Sequence, residues 1–313
     1  MEPMVTITRE RLTALCPLRK EDGHKGTFGR LLLYAGSEGM AGAAYMAASS
    51  ALRSGVGLVY MLVPESLSSP LLTMCPEALS ITVPEEEQDH TGLQPLVAVR
   101  NKVDPEWIAR MLEGKDAVLL GPGIDPDRLD VRMNLPFLIR TAPRLVLDAG
   151  ALTILSQEPS LWEEIRGRKD RGLGPAVITP HIGEFKRLFP EWETGDTASA
   201  GAWAQQKETI LVLKSHHTDI FTPDGKWYSN QESNSGLAKG GSGDVLAGLL
   251  AGFLAQGMRE EDAAVCAVGI HSLAGRLCAA EHGKRAMLPT MLWDYYGKCF
   301  AILKWEEGME NDG

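Results

Sequence analysis

"NSGLAKGGSGDVLAGLLAGFLAQG", residues 234–257, sets Gly236, Gly240, Gly241 and Gly243 and a lone acid, Asp244, ahead of a long apolar helix. Glycine loses more freedom on folding than any other residue, so a cluster of it needs a reason. A plain turn is one. The other is chemical: a bare backbone lets an anion approach a helix N-terminus, where free amides and the macrodipole favour negative charge. Gly241, Ser242 and Gly243 would then form an anion hole. Asp244, in the first turn, could act as general base on a hydroxyl facing a phosphoryl group. The competing reading makes Asp244 a helix cap.

Upstream of this stretch, short apolar runs alternate with helical ones. "RLLLYAG" (30–36), "GLVYMLV" (57–63), "DAVLLG" (116–121), "RLVLDA" (144–149), "PAVIT" (175–179) and "TILVLKS" (209–215) read as strands buried on both faces, the pattern of a covered parallel sheet. Helices are expected at 41–55, 104–114, 127–140 and 183–189, a hairpin turning at Pro223-Asp224-Gly225, and three closing helices at 243–257, 260–281 and 288–303. The fold class is therefore α/β: a three-layer α/β/α sandwich with a mostly parallel central sheet. No linker or repeat interrupts it, so residues 1–305 are expected to form a single domain, with 306–313 a polar tail.

In such sheets a ligand sits beyond the carboxyl ends of the strands. Five strand ends carry glycine and polar residues: "GSEGMAGAA", "GPGIDP", "DAGAL", "TPHIGE" and "KSHHT". Lys214, His216, His217 and Thr218 could wrap the phosphate and ribose of a nucleotide. The adjacent histidines suggest a metal, but neighbours on a strand point to opposite faces, so no metal site is expected there. Gly123 offers close backbone approach or a simple turn; Ala41, Gly42 and Ala43 suit tight helix packing as well as ligand approach. Taken alone, Thr179 and His181 read as cap or loop residues rather than catalytic ones, and Asp148 as a cap of the turn to the next helix. His24 and Lys25 suit a surface loop, and His271 is expected to pack against the preceding helix.

The 313 residues carry a formal net charge of −10, which argues against a nucleic-acid or anionic-membrane surface. The N-terminus lacks a signal-peptide core, and the apolar run 245–254 is shorter than the about 20 residues a spanning helix needs. Five scattered cysteines without a CxxC pair suggest neither a zinc site nor a disulfide framework. A cytoplasmic protein is expected. The Walker pattern is absent, and no GxGxxG follows a strand, which disfavours a Rossmann-type nicotinamide site.

Taken in order, "GHKGTFGRLLLYAGSEGMAGAAYMAASSALRSGVGLV", "GPG", "VLDAGAL", "TPHIGEF", "VLKSHHT", "PDG" and the opening stretch resemble the ADP-dependent NAD(P)H-hydrate dehydratases of the ribokinase-like superfamily, from about residue 8 to about residue 300. The resemblance implies repair of (S)-NADHX and (S)-NADPHX to NADH and NADPH, with ADP converted to AMP and phosphate. It implies Ala43, Gly123, His181 and Asp244 at the hydrate, and Lys214, Ser215, His216, His217, Thr218 and Gly243 at the adenine nucleotide. Asp244 with Gly241, Ser242 and Gly243 would carry the chemistry. Mg²⁺ on the nucleotide, a separate NAD(P)HX epimerase as functional partner and a homo-oligomer are implied likewise. Gly150 replaces a second acid usual in the family, which puts a second-acid or metal role in doubt; Ser215 replaces a glycine, which bears on the fit to ADP or ATP. A small-alcohol kinase of the same superfamily and a non-catalytic nucleotide sensor are the alternatives.

Overall fold

The computed structural model describes residues 2–16, 19, 21–83 and 105–306. Of the expected polar tail only Glu306 falls within them, and Asp104 of the helix expected at 104–114 lies outside.

The strands are β1 (Val5–Thr6), β2 (Arg30–Tyr34), β3 (Leu58–Pro64), β4 (Leu79–Val83), β5 (Ala117–Leu120), β6 (Leu145–Leu147), β7 (Val177–Ile178), β8 (Ile210–Leu213), β9 (Thr218–Phe221) and β10 (Trp227–Asn230). Among the described residues they form one sheet in the order β1-β10-β9-β8-β7-β6-β5-β2-β3-β4. β9 runs antiparallel to both neighbours, and every other pairing is parallel. The β9–β10 hairpin turns at Pro223-Asp224-Gly225 as expected.

The helices are α1 (Arg9–Ala14), α2 (Ala41–Arg53), α3 (Glu65–Met74), α4 (Pro105–Leu112), α5 (Leu129–Thr141), α6 (Gly150–Gln157), α7 (Leu161–Arg166), α8 (Ile182–Leu188), α9 (Thr197–Lys207), α10 (Ser242–Ala255), α11 (Glu260–His282) and α12 (Tyr296–Ile302). Successive strand residues point to opposite faces, and both faces are covered. Leu31 and Leu33 join Val59, Leu119 and Val212 in a core closed by α2, α10, α11 and α12. Leu32 and Tyr34 join Val118, Leu147 and Leu211 in a second core closed by α5 to α9. Unbroken apolar strands follow from this two-sided burial.

α10 is buried from Val245 to Ala255, and it packs against α2 at a separation only glycine allows. A β-carbon on Gly248 would lie 2.2 Å from the Ala47 carbonyl oxygen, and one on Gly252 would lie 2.1 Å from the Ser54 hydroxyl. α11 is long and apolar enough to cross a bilayer by length and composition, a point the shorter run at 245–254 did not reveal. Its apolar window is 78% buried within the protein.

The helix expected at 288–303 is instead a 3₁₀ segment, Pro289–Tyr295, followed by α12. Proline at the first position and the change of hydrogen-bond pattern break the single helix.

Candidate active site

The five polar strand ends belong to β8, β7, β6, β5 and β2, which are consecutive across the sheet and parallel. Their carboxyl ends therefore open on one rim. α10 begins above that rim, its N-cap Gly241 held at φ 97°, a left-handed conformation suited to glycine. Among the described residues no side chain caps this helix. Asp244 is thus not a cap: it stands on the third helical residue, half-buried, with its carboxyl free for chemistry.

Of the three amides expected to form an anion hole, one is already engaged. The Ser242 amide donates to the Lys239 carbonyl at 3.2 Å and is engaged. Among the described residues the amides of Gly241, Gly243 and Asp244 have no partner. Ser242 serves otherwise. Its carbonyl and hydroxyl lie 3.2 and 3.3 Å from His271 Nε2, which packs α11 against this turn as expected of His271.

Beneath the turn lies an ionic cluster. Asp148 is 2% exposed, and its Oδ1 accepts from the Thr179 hydroxyl at 2.8 Å and from Lys214 Nζ at 2.9 Å. It does not cap the following helix, whose N-cap Ala149 has no side-chain partner, because its carboxylate is turned toward Lys214. Burial opposes the Lys214 charge, but the carboxylates of Asp148, Glu184 and Asp244 outweigh it and raise its pKa. Burial first, then the charges of Asp148 and Glu184, push Asp244 up to about 7, with Lys214 opposing them.

His181 is the N-cap of α8 in a reciprocal capping box. Its Nδ1 accepts from the Gly183 and Glu184 amides at 3.0 and 3.3 Å, and Glu184 accepts from the His181 amide at 2.8 Å. With Nδ1 accepting, a neutral ring carries its proton on Nε2 and can donate there. The cap and the site roles are compatible.

A cavity of about 710 Å³ adjoins the rim. Lys214, Ser215, His216 and Thr218 line one wall, Ser242 and Gly243 another, and Leu237, Leu246 and Val268 supply an apolar surface. His181 and His271 also face it. His217 does not. Residues 215–217 form a bend after the strand rather than its continuation, so the opposite-face argument fails for the two histidines, whose rings lie 4.3 Å apart. Ser215 closes that bend, its Oγ accepting from the His217 amide at 3.2 Å.

Ala43 and Gly123 lie together on the other flank of the α10 turn. A β-carbon on Gly123 would be 2.8 Å from that of Ala43, and Met46, one turn further along α2, abuts Gly241. Gly123 has φ 63°. Gly150 starts α6 where a β-carbon would meet the Ile124 carbonyl oxygen at 2.3 Å, so this chain has no room for a second acid there. Lys25 packs its carbonyl over Gly57, away from the cavity lining.

The rim is legible in the sequence; its wiring is not. The Asp148–Lys214 contact and the hydroxyl of Thr179 join residues up to 66 positions apart. The available signal was a polar residue directly after each apolar strand.

A parallel α/β/α sheet with its strand ends beneath an uncapped glycine-opened helix is the ribokinase-like architecture. A ribokinase-like superfamily protein from Enterococcus faecalis V583 superimposes with TM-score 0.78 at 26% identity, over 97% of both chains. The chain belongs to the NAD(P)H-hydrate dehydratase family, whose model matches residues 31–298. It is 31% identical to the ADP-dependent (S)-NAD(P)H-hydrate dehydratase of Bacillus subtilis (strain 168), over 92% of this chain and 94% of that protein. The ADP/ATP-dependent NAD(P)H-hydrate dehydratase from Bacillus subtilis, co-crystallised with ATP/Mg²⁺, matches with TM-score 0.77 and 30% identity, over 96% of this chain and 98% of that one. The chain spans about half the length of the bifunctional NAD(P)H-hydrate repair enzymes it also matches.

Proposed function

We propose that the chain dehydrates (S)-NADHX and (S)-NADPHX to NADH and NADPH at the expense of ADP or ATP. The observation that carries this reading is the half-buried Asp244 beside the free amides of Gly241 and Gly243, with the Lys214 ammonium acting on it. Hydroxide is a poor leaving group, so the ring hydroxyl is first phosphorylated. Asp244 accepts the hydroxyl proton as the oxygen bonds to the terminal phosphorus of the nucleotide. The bond from that phosphorus to the bridging oxygen breaks, and the shortened nucleotide leaves; from ADP it is AMP. The amides of Gly241, Gly243 and Asp244 and the Lys214 charge stabilise the transferring group. Phosphate then departs with the carbon–oxygen bonding pair, and a proton is lost from the adjacent ring carbon.

The proposal places the nucleotide against Lys214, Ser215, His216, Thr218 and Gly243, and the hydrate toward Ala43, Gly123 and His181. Among the described residues no three His, Cys, Asp or Glu side chains converge as a metal cage. Mg²⁺ therefore fits here as a companion of the nucleotide phosphates, whose charge it would neutralise. A separate epimerase partner, a homo-oligomeric assembly and a cytoplasmic location complete the proposal.

The test follows absorbance of the reduced nicotinamide with purified protein, Mg²⁺ and prepared NADHX, adding ADP, ATP or no nucleotide. Absorbance returning only with nucleotide, with AMP formed from ADP and both lost in Asp244→Asn, is expected. No return with either nucleotide would overturn the reading.

A further inference from the structure

The reaction proposed above gives Asp148 no task, yet its carboxylate is buried and its Oδ1 accepts two hydrogen bonds. Its position is fixed from three sides. The Thr179 hydroxyl donates to Oδ1 at 2.8 Å. Gly121 passes so close that a β-carbon there would fall 1.7 Å from the Asp148 carbonyl oxygen. Ala149, the next residue, turns the chain at φ 44°, a left-handed conformation that a side chain disfavours and that the surroundings must impose. Against this fixed carboxylate rests the Lys214 ammonium, 2.9 Å away, with the site of a Gly243 β-carbon 3.1 Å from the same nitrogen.

The carboxylates that act on Lys214 besides Asp148 are Glu184 and Asp244. A lysine released from Asp148 would turn to them, and an ammonium on Asp244 would quench the proposed base. We infer that Asp148 is a positioning residue: by anchoring the Lys214 ammonium beside Gly243, it reserves that charge for the nucleotide phosphates and leaves Asp244 free to accept a proton. This rests on the function proposed above. The Asp148 charge also stands next after burial in raising Asp244.

The test is a double-mutant cycle of Asp148→Asn and Lys214→Met, read by calorimetric ADP binding and by the pH dependence of turnover. The asparagine keeps the shape and can still accept from Thr179. Each single variant is expected to weaken ADP about tenfold, and the double variant no more than Lys214→Met alone. Asp148→Asn should also move the acid limb of turnover below that of the wild type, a shift that a merely structural residue would not cause. Additive losses, or an Asp148→Asn protein with wild-type affinity and an unmoved acid limb, would overturn the inference. If Asp148→Asn does not fold, Thr179→Val carries the test: it should weaken ADP about threefold in the wild type and not at all beside Lys214→Met. Equal losses in both backgrounds, or none in either, would overturn it too. Wild-type protein that binds ADP but restores no reduced nicotinamide would sink the reaction alone, and the binding cycle would still decide Asp148. Wild-type protein that binds no ADP would sink both.

Discussion

A β-carbon on Gly243 would sit 3.1 Å from Lys214 Nζ, closer than such atoms ordinarily approach, so a side chain at residue 243 would oblige the strand-end lysine to give way. Gly243→Ala is expected to lower kcat/KM for the nucleotide about tenfold by displacing the ammonium from the phosphate position. The same change replaces a helical glycine and should stabilise the fold by up to about 1 kcal/mol. Kinetics and thermal unfolding of one variant read both signs.

Asp244 predicts opposite effects on activity and stability. Its carboxyl, pushed from 3.8 up to about 7, must be ionised to act as a base, so turnover should fall on acidification through about pH 7. The folded state holds this proton more tightly than the unfolded chain. Protonation therefore favours folding, and that contribution is lost as pH rises from about 4 through about 7. Asp244→Asn should abolish turnover yet raise Tm at pH 8 by a few degrees, roughly the size of a 1 kcal/mol gain, and the gain should vanish near pH 4. A variant less stable than wild type at pH 8 would contradict this.

His271 has the reverse dependence in an overlapping window. Burial first, and the Lys214 charge after it, lower its pKa from 6.5 to about 4, while the contact with Ser242 opposes the fall. The neutral ring is favoured in the fold, so its contribution is present above pH 6.5 and is lost as pH falls toward 4. His271→Leu should flatten that part of the stability profile. Released from His271, the Ser242 turn should also raise the nucleotide KM about fivefold. Unfolding curves from pH 4 to 7, with steady-state kinetics, check both statements.

Arg168 tests the scaffold away from the site. Its buried guanidinium donates to the carbonyls of Gly174, Ile139 and Ala142 at 2.9, 2.7 and 3.0 Å, tying off the end of α5. Burial lowers its pKa to about 10. Arg168→Leu should cost about 3 kcal/mol by stranding these acceptors, with turnover per folded molecule unchanged. Urea unfolding alongside active-site titration measures the two effects separately.

The apolar strands were readable because burial on both faces leaves no polar residue to blur them. β4, "LSITV", was missed because this edge strand mixes polar and apolar residues. α3 carries Pro70 inside it, and that breaker hides a helix held by its surroundings. α9, "TASAGAWAQQK", is small and polar around most of its surface, so periodicity gave little. At the site, residue types were legible wherever a polar group followed a strand. Their partners were not: Ser242's amide was assigned to an anion but binds Lys239, and Asp148 was given to a helix end but holds Lys214. Such pairings arise only when distant strand ends meet across the sheet.

The crossing of Gly121 beneath Asp148 has an evolutionary consequence. A β-carbon at 121 would overlap the Asp148 carbonyl, so the two loops interlock through main chain alone. Side chains along the rim can drift and retune the ligand without disturbing this joint. A substitution in the joint itself must move two loops at once. A change in where the carboxylate stands therefore has to pass through both loops together, whereas a side-chain change on the rim does not.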